Sequence, residues 1–489
     1  MEPRNVAVAR LSGDICTKGS RTRRQFHSRL KSNLKDALNR AHIEYSMQLR
    51  EGRVDIDSAD PELCELASRV FGIHSVTPGR AYGYESLEDI VALGIEEFGA
   101  RVEGRRFAVR TRRSGNNQDR IGFKSPDVDR ALGAALVGCG GRVDLTAPEF
   151  TARVDVRAGD VVFFSETLAG PCGLPVGVEG RGLALVSGGF DSVVAAWKLL
   201  SRGVELDFVF FNLGGPAHEQ GVLEVLRTFT DRWCYGYRPV LHRVDFRPIV
   251  GELRAKAQGR YWQVLLKRLF VRAADQIAQA EGYETLVTGD ALGQVSSQTL
   301  QNLAAVGAHA QTLLLRPLVG YDKDDIIALS RRVGTHDLSA KNPEYCNLEA
   351  GKPATKCRVD ELYAQEARLD AGVLDAMVAR RLVERVERIE DLADVEVRLA
   401  EVPQGSLVLD LRDDGAHRDW SYPDSIHLPF ERALDGAAML PKSASYVLVC
   451  DVGLKSAFLA EQMRAHGFDA YSFTGGLAAM RRWADRQHG

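Results

Sequence analysis

The segment at residues 187–192, with the sequence SGGFDS, constrains the fold of this chain more than any other. It follows an apolar run at 183–186 that predicts a buried parallel strand, and it precedes an apolar stretch at 193–200 that predicts a helix. Glycines let the backbone approach an anion closely, and the free N–H groups at a helix start favour negative charge. The segment therefore predicts a phosphate-binding loop at the carboxyl end of a parallel strand.

The loop sequence also indicates which nucleotide chemistry to expect. The chain contains no GxxxxGK[ST] motif, the phosphate loop of kinases and GTPases. SGGxDS resembles instead the PP-loop of ATP pyrophosphatases, which adenylate a substrate and release pyrophosphate. This resemblance implies activation of an oxygen atom rather than phosphoryl transfer. The alternative is a serine- and glycine-rich turn without a ligand.

Other residues are candidates for the same site. Asp191 lies inside the loop, where a carboxylate repels phosphate, so we expect it to hold Mg²⁺ or to orient the loop. The small residues of the run 288–298 permit close approach to a nucleotide, and Gln298 is placed to contact an adenine or ribose edge. Lys267 and Lys323 are candidate phosphate contacts, with a plain surface charge as the alternative for each.

Composition excludes several classes of protein. A length of 489 residues suggests three or four domains at roughly 100–200 residues each, and the hydrophobic share of 45% is ordinary for globular proteins. The start of the chain has no apolar leader, and no stretch of about 18 apolar residues predicts a membrane span. Eight scattered cysteines without a CxxC pair argue against a disulfide scaffold and a structural zinc site. We expect a reduced, cytoplasmic protein without membrane contact.

Positive charge is concentrated in the N-terminal part, although the net charge is only −3. Two clusters fall between residues 18 and 40 and between 101 and 124: Lys18, Arg21, Arg23, Arg24, Arg29, Lys31, Lys35 and Arg40, then Arg101, Arg105, Arg106, Arg110, Arg112, Arg113, Arg120 and Lys124. A solvated helix face explains either cluster alone. Both together, upstream of an adenylating domain, favour RNA as the partner.

The pattern of short elements predicts several domains. Residues 1–168 alternate strands and helices in an α+β pattern that we expect the segment 77–79 (Thr-Pro-Gly) to split into two modules. Strands are predicted at 183–186, 206–211, 239–243, 284–288 and 312–316, with helices between them, which is typical of a doubly wound parallel sheet. Residues 360–400 read as helical connectors, and a further compact βα unit is predicted to follow.

Cys450 has the sequence context of a reactive thiol. It ends a predicted strand and opens the loop CDVGLKS before a helix, where backbone N–H groups stabilise a thiolate. A tyrosine-phosphatase loop needs arginine six residues after the cysteine, and this chain has Ser456 there. The loop resembles a rhodanese active site, whose cysteine carries a persulfide, with Lys455 in place of the usual arginine. The alternative is a structural core cysteine.

Cys346, in the segment KNPEYCN, gains meaning from that chemistry. By itself it reads as a free loop thiol. A persulfide that donates sulfur benefits from a second thiol to break the S–S bond, which leaves a disulfide that must be reduced.

These parts, in this order, resemble the ThiI family of tRNA 4-thiouridine synthetases over essentially the whole chain. The matching segments include 18–20, 71–73, 187–192, 211–215, 288–298, 343–346 and Cys450, and the rhodanese resemblance of the Cys450 loop extends over 410–412, 425–429 and 474–477. The resemblance implies a multidomain α/β and α+β fold: a ferredoxin-like domain at 1–60, a THUMP RNA-binding domain at 61–168, a PP-loop ATP pyrophosphatase domain at 176–395 and a rhodanese domain at 404–489.

The resemblance also implies residues and partners. The ATP-binding positions of the family match Leu185, Val186, Lys267, Gly289 and Gln298, beside Ser187, Gly188, Gly189 and Ser192 of the loop itself. ATP and Mg²⁺ would activate O4 of a tRNA uridine, position 8 in the family, and sulfur from a Cys450 persulfide would replace it, with Cys346 as the partner thiol. The implied sulfur donor is a cysteine desulfurase of the IscS type, and a ThiS-type carrier for thiamine thiazole synthesis is a second acceptor.

Two other functions were open from the residues alone. A PP-loop amide or citrulline-type ligase leaves the basic clusters and the Cys450 loop unexplained. An RNA-binding protein with a degenerate sulfurtransferase tail conflicts with the intact SGGFDS and Cys450 segments.

Overall fold

The computed structural model describes residues 4–50, 52–113, 122–164, 166–342, 353–389, 397–451 and 453–488. The chain divides into two compact units. The first holds Met1–Glu179 with Leu200–Val204 and Tyr235–Tyr237, and the second holds Gly180–Leu199, Glu205–Cys234 and Arg238–Gly489. None of the helices in these described ranges is both long and apolar enough to span a membrane.

The first unit is built on one sheet of nine strands. In chain order they are β1 (Arg4–Leu11), β2 (Ser46–Arg50), β3 (Arg53–Ser58), β4 (Ile73–Gly83), β5 (Arg106–Arg113), β6 (Arg142–Val143), β7 (Phe150–Arg157), β8 (Asp160–Phe164) and β9 (Leu168–Ala169). Across the sheet the order is β2-β3-β1-β4-β8-β7-β5-β6, and β9 also pairs with β4. The predicted α+β character of this region is confirmed.

The helices among the described residues of this unit are α1 (Gly13–Cys16), α2 (Ser20–Arg40), α3 (Leu63–Ala67), α4 (Leu87–Val102) and α5 (Ser125–Gly138). The apolar spacing of α2 is the reason that it forms, since Phe26, Leu30 and Leu34 recur every four residues and are all buried. The start of α4 is fixed by a capping box, in which Ser86 and Asp89 each bond the other's backbone N–H.

The segment 77–79, where we expect a division into two modules, lies within β4, which runs through it without a break. Pro78 pairs with Ala7 of β1. On the other side β4 changes partner here: Val76 is the last residue opposite β9, and Gly79 is the first opposite β8. Pro78 has no backbone N–H to donate, and it is tolerated because the pairing of β4 with β9 has ended there and the pairing with β8 has not yet begun.

The second unit begins with a six-stranded sheet: β10 (Arg181–Val186), β11 (Glu205–Asn212), β12 (Val240–Asp245), β13 (Thr285–Val287), β14 (Leu313–Leu315) and β15 (Leu382–Arg385). Its order is β14-β13-β10-β11-β12-β15, and the first five of these strands are parallel, which confirms the predicted sheet. The chain leaves β10 for β11 on one side and later returns to β13 on the other. Ligands of such sheets bind at this reversal of strand order.

In the described part of this region the helices are α6 (Phe190–Leu200), α7 (Pro216–Trp233), α8 (Arg247–Lys256), α9 (Trp262–Glu281), α10 (Leu300–Gly307), α11 (Lys323–Val333), α12 (His336–Ser339), α13 (Val359–Glu366) and α14 (Ala371–Ala379). The prediction that 360–400 forms helical connectors is confirmed for α13 and α14 and is wrong at β15, which lies within this range and pairs antiparallel with β12. Leu382 and Val383 of this edge strand are exposed, so no alternation of buried and polar residues marks it as a strand in the sequence.

A second, fully parallel sheet follows toward the C-terminus. Its strands are β16 (Arg398–Leu399), β17 (Leu407–Asp410), β18 (Ile426–His427), β19 (Ser445–Val449) and β20 (Asp469–Phe473), in the order β16-β20-β19-β17-β18. Its helices are α15 (Asp414–Asp419), α16 (Phe430–Gly436), α17 (Leu454–Ala465) and α18 (Gly476–His488). The segment between β19 and α17 holds Cys450, as the sequence predicts.

Candidate active site

A cavity of about 340 Å³ lies at the carboxyl ends of β10, β11 and β13. This volume is in the range of small-molecule sites. The predicted residues that line it are Leu185, Val186, Ser187, Gly189, Asp191, Ser192, Lys267, Gly289, Gln298 and Lys323. These residues are spread over about 140 positions of the sequence, and they meet where the strand order of the sheet reverses.

The loop at residues 187–192 is closed by its last serine. Ser192 Oγ accepts a hydrogen bond from Ser187 N at 3.4 Å and donates one to the Gly189 carbonyl oxygen at 3.2 Å. The helix α6 begins at Phe190, so its first N–H groups have no partner within the helix and are available to an anion.

Gly289 permits the close approach of two segments at the cavity wall. A Cβ on Gly289 would lie 2.7 Å from the carbonyl carbon of Asp191 and 2.7 Å from the backbone N of Ser192. Both atoms are backbone and cannot turn away, so any side chain here would push the β13 loop off the start of α6.

Asp191 is held by two long side chains from other elements. Its Oδ1 lies 3.2 Å from Lys323 Nζ at the start of α11, and its Oδ2 accepts a hydrogen bond from Gln294 Nε2 at 3.2 Å. The three polar groups face the cavity, where a polyphosphate could exchange places with the carboxylate as the partner of Lys323.

A buried carboxylate, Asp290, anchors the opposite wall. Its Oδ1 lies 3.3 Å from Lys267 Nζ, and its Oδ2 accepts from Thr288 Oγ1 at 2.8 Å and lies 3.4 Å from Arg316 Nε. Burial alone would raise the pKa of this carboxyl, but Lys267, Thr288 and Arg316 outweigh that effect and hold the pKa below its ordinary value. Asp290 therefore stays ionised and fixes the lysine beside the cavity.

Gln298 is tied to the same lysine. Oriented to satisfy both ends of its amide, the side chain accepts from Lys267 Nζ at 3.3 Å and donates to the Ala291 carbonyl at 2.8 Å. Gln298 therefore lies in the cavity wall, and its contact with a nucleotide stays a prediction.

Asp290, His218 and Asn342 were not singled out from the sequence, yet all three line the cavity. His218 Nδ1 accepts a hydrogen bond from Leu213 N at 3.4 Å, and burial lowers the pKa of His218 to about 3, so the imidazole is neutral. Asn342 Nδ2 donates to the Gly188 carbonyl at 3.3 Å. The signal for Asp290 was present in the run 288–298, whereas Asn342 could not be found because its partner lies 154 residues away.

Cys450 lies in a ring of backbone donors and is 2% exposed. Its Sγ accepts hydrogen bonds from Gly453 N at 3.2 Å and from Ser456 N at 3.4 Å, and Ser456 Oγ is also 3.4 Å away. Such donors stabilise a thiolate. Lys455, which stands where the rhodanese loop has arginine, places its Nζ 5.2 Å from the centre of the Phe430 ring.

Cys346, the other cysteine predicted to take part, lies outside the described residues. The described chain on its N-terminal side ends at Asn342, in the cavity wall.

A second cavity, of about 300 Å³, lies in the first unit. Five arginines from four strands line it, together with apolar side chains: Arg10, Arg53, Arg110, Arg112 and Arg153. Asp155, buried at the foot of this group, pairs with Arg112 at 3.0 Å, and Asp55 pairs with Arg53 at 3.0 Å. Arg10 and Arg153 form no ion pair with a carboxylate of the described chain, which leaves the cavity positively charged.

Three protein-family models match successive parts of the chain. The ThiI ferredoxin-like domain matches residues 8–77, the THUMP domain matches residues 84–166, and the model described as thiamine biosynthesis protein (ThiI) matches residues 177–371.

Known relatives are similar over nearly the whole chain. The tRNA sulfurtransferase of Desulfurococcus amylolyticus is 35% identical over 477 residues, which are 96% of this chain and 97% of the relative. That of Yersinia pestis strain Pestoides F is 33% identical over 477 residues, which are 94% of this chain and 98% of the relative. These alignments therefore extend into the C-terminal region that the family models leave unmatched.

A solved structure is similar as well. The crystal structure of a 4-thiouridine synthetase in complex with RNA and with bound ATP is 27% identical and superposes with a TM-score of 0.67. The match covers 78% of this chain and 99% of that one.

Proposed function

Because this chain belongs to the ThiI family, whose curated relatives are tRNA sulfurtransferases, we propose that it converts a tRNA uridine to 4-thiouridine at the expense of ATP. The observation that carries the proposal is the single cavity in which the PP-loop, Lys267, Gly289, Gln298 and Lys323 meet. The uridine at position 8 is the proposed target, by the family resemblance.

In the first half of the reaction, O4 of the uridine attacks the α-phosphate of ATP, and pyrophosphate leaves. Lys267 and Lys323 are the proposed phosphate contacts, and Leu185, Val186, Gly289 and Gln298 are proposed to line the nucleoside. Ser187, Gly188, Gly189 and Ser192 offer the compact loop that an oligophosphate needs. The protein's contribution at this step is binding and orientation of the two reacting atoms.

Mg²⁺ is proposed to accompany the ATP. Within the described ranges, no group of three His, Cys, Asp or Glu side chains is arranged to hold a metal ion. Asp191 lies within the PP-loop, which fits magnesium because this ion commonly takes one carboxylate plus substrate phosphates. When bound, Mg²⁺ supplies charge neutralisation to the phosphates.

In the second half, sulfur replaces the activated oxygen. The terminal sulfur of a Cys450 persulfide attacks C4, and AMP leaves with the original oxygen. The Cys346 thiolate then attacks the Cys450 sulfur, which releases the thiouridine and leaves a Cys346–Cys450 disulfide. A thiol reductant restores both cysteines. In the other order, Cys346 first acts on the persulfide and the liberated sulfide attacks C4. A rhodanese-type domain around Cys450 is proposed for residues 404–489.

The proposed sulfur donor is a cysteine desulfurase of the IscS type, since the backbone ring around Cys450 suits a persulfide. By the same route Cys450 is proposed to pass sulfur to a ThiS-type carrier, in line with the family description as a thiamine biosynthesis protein.

The arginine-lined cavity of the first unit is the proposed contact for tRNA backbone phosphate. Arg10 and Arg153 are the strongest candidates because their charges are not neutralised by a described carboxylate. Phosphate contacts supply most of the affinity of such interfaces.

The proposed function is tested by incubating the protein with ATP, cysteine, a cysteine desulfurase and unmodified tRNA, and by measuring thionucleoside and pyrophosphate. We expect one pyrophosphate for each 4-thiouridine. Pyrophosphate release triggered by a small amine, without any thionucleoside, would instead support the amide-ligase alternative. Thionation without ATP consumption would contradict the adenylation step.

A further inference from the structure

The segment FNLGG at residues 211–215 stands out in the sequence but is not part of the phosphate loop. In the structure it forms a tight turn that opens α7. Asn212 Oδ1 accepts hydrogen bonds from Gly214 N at 3.1 Å and Gly215 N at 2.8 Å, and Asn212 Nδ2 donates to the Gly215 carbonyl at 3.0 Å. The Asn212 side chain therefore fixes the backbone conformation of the turn that precedes α7.

Glu461 of α17 contacts this turn from the C-terminal domain. Its Oε1 accepts a hydrogen bond from Ala217 N, in the first turn of α7, at 3.2 Å. A Cβ on Gly215 would lie 2.8 Å from Glu461 Oε2, and Gly215 has φ of +76°, so glycine is required at this close contact. The C-terminal domain thus contacts the turn before α7 through Glu461, at a position where only glycine fits.

The same end of α7 also borders the nucleotide cavity. His218, one residue after Ala217, lines that cavity. One turn further, the Gly221 carbonyl accepts a hydrogen bond from Asn342 Nδ2 at 3.1 Å. Asn342 lies four residues before Cys346, while Glu461 lies about two turns along the helix that the Cys450 loop opens. Asn342 and Glu461 therefore contact neighbouring turns of the same helix.

From these contacts we propose that Glu461 is a positioning residue: it docks the C-terminal domain on the first turn of α7 and so directs Cys450 toward the nucleotide cavity. The proposal rests on the proposed function, since it assigns Glu461 to the sulfur-transfer step. Glu461 itself takes no part in bond making or breaking.

The charges around the contact indicate which substitution preserves it. The Glu461 carboxyl faces the Ala217 amide, Arg247 and Arg398, and Arg247 is already paired with Asp245 at 2.7 Å. Burial raises the pKa of Glu461 to about 7, against a smaller lowering by Ala217, Arg247 and Arg398. A neutral acceptor of the same shape is therefore compatible with docking, and Glu461→Gln should retain the contact.

The test compares Glu461→Ala with Glu461→Gln in the full-length protein. Gln462→Ala is the matched control, since the Gln462 side chain makes no hydrogen bond in the described chain. Each protein is loaded with labelled persulfide sulfur on Cys450, and the rate of label transfer to tRNA is measured in a single turnover. Pyrophosphate release and hydrogen exchange of residues 213–220 are followed in parallel.

We expect label transfer to fall about fivefold or more in Glu461→Ala, the effect of removing one helix-capping acceptor, with pyrophosphate release unchanged. Glu461→Gln and Gln462→Ala should transfer at the wild-type rate, and exchange at 213–220 should be faster only in Glu461→Ala. Label transfer in Glu461→Ala at the wild-type rate would overturn the proposal. So would a fall in pyrophosphate release as large as the fall in label transfer. If the wild type forms no 4-thiouridine, the proposed function fails, and exchange at 213–220 alone decides whether Glu461 docks the domain.

Discussion

Two loops of this protein share a strand–loop–helix arrangement but differ in the side chains around them. The loop at residues 187–192 joins β10 to α6, and the loop after Cys450 joins β19 to α17. Each follows a parallel strand in the interior of its sheet and ends at a helix N-terminus. In both, backbone N–H groups at the start of the helix have no partner within the helix and favour a negative charge.

The difference lies in the side chains. The first loop borders a cavity of about 340 Å³ whose walls carry Asp191, Lys267 and Lys323, so it can hold a large, multiply charged ligand. The second closes around its own Cys450 sulfur, with neutral Ser456 beside it. In the proposed mechanism, one backbone geometry therefore serves a bound nucleotide in the first loop and a covalently held sulfur in the second, and the side chains decide which.

The strongest effect that we expect separates these two loops. Cys450→Ser should lower 4-thiouridine formation by roughly 10³-fold or more, since the protein can no longer form the persulfide, while tRNA-dependent pyrophosphate release continues. Cys16→Ser, which removes an exposed thiol of the first unit, is the control and should match wild type. Loss of pyrophosphate release in Cys450→Ser would mean that the two loops do not act independently.

The next prediction concerns Gly289, which packs against the loop at residues 187–192. Gly289→Ala should weaken ATP binding by roughly 10- to 100-fold, because its Cβ would meet the Asp191 and Ser192 backbone at 2.7 Å and overpacking costs about 1–3 kcal/mol. Gly251→Ala in α8, where a Cβ meets no atom within 4 Å, should leave affinity unchanged. Calorimetric titration with ATP measures both, and persulfide loading of Cys450 should be normal in each.

A more modest effect is expected at the arginine-lined cavity. Replacing Arg10 and Arg153 by Gln should weaken tRNA binding and reduce the slope of log K against log salt by about 0.7–0.9 for each phosphate that is no longer neutralised. Arg130→Gln, which removes an exposed arginine paired with Asp127 in the same unit, should leave the slope unchanged. An unaltered slope in the double variant would exclude this cavity as a phosphate-binding surface.

The weakest effect that we expect is a pH dependence near the nucleotide loop. The pKa of His218 is lowered by burial to about 3. Below pH 6.5 the unfolded chain therefore binds a proton at His218, whereas the folded chain stays unprotonated there until about pH 3. Stability from this group is complete above pH 6.5 and falls by about 2 kcal/mol at pH 5. Urea unfolding measures the free energy of unfolding of wild type and of His218→Gln between pH 6.5 and pH 5. We expect the decrease due to His218 to be absent from His218→Gln, and an equal decrease in both proteins would contradict the prediction.

Both loops were predictable from sequence because their signals are local. The apolar run before residue 187 and the glycines within the loop specify the strand and turn, and Cys450 lies directly between its strand and helix. The Lys267–Asp290 pair and the Asn342–Gly188 bond were not predictable, since they join residues that only the sheet topology brings together. The continuous strand through Pro78 was missed because it depends on where two partner strands end.

The contact between Glu461 and Ala217 belongs to the same class of long-range features. Its partners are 244 residues apart, and neither has a sequence context that suggests the other. Such contacts depend on tertiary packing, which local periodicity does not encode.

The proposed mechanism requires that the two loops perform successive, separable steps. A decisive experiment loads Cys450 with labelled persulfide sulfur, removes the donor, and follows the label in a single turnover with tRNA. The mechanism predicts that label enters tRNA as 4-thiouridine only when ATP is present, with one pyrophosphate released for each labelled nucleoside. Labelled tRNA without ATP, or 4-thiouridine formed at the wild-type rate by Cys450→Ser, would contradict it.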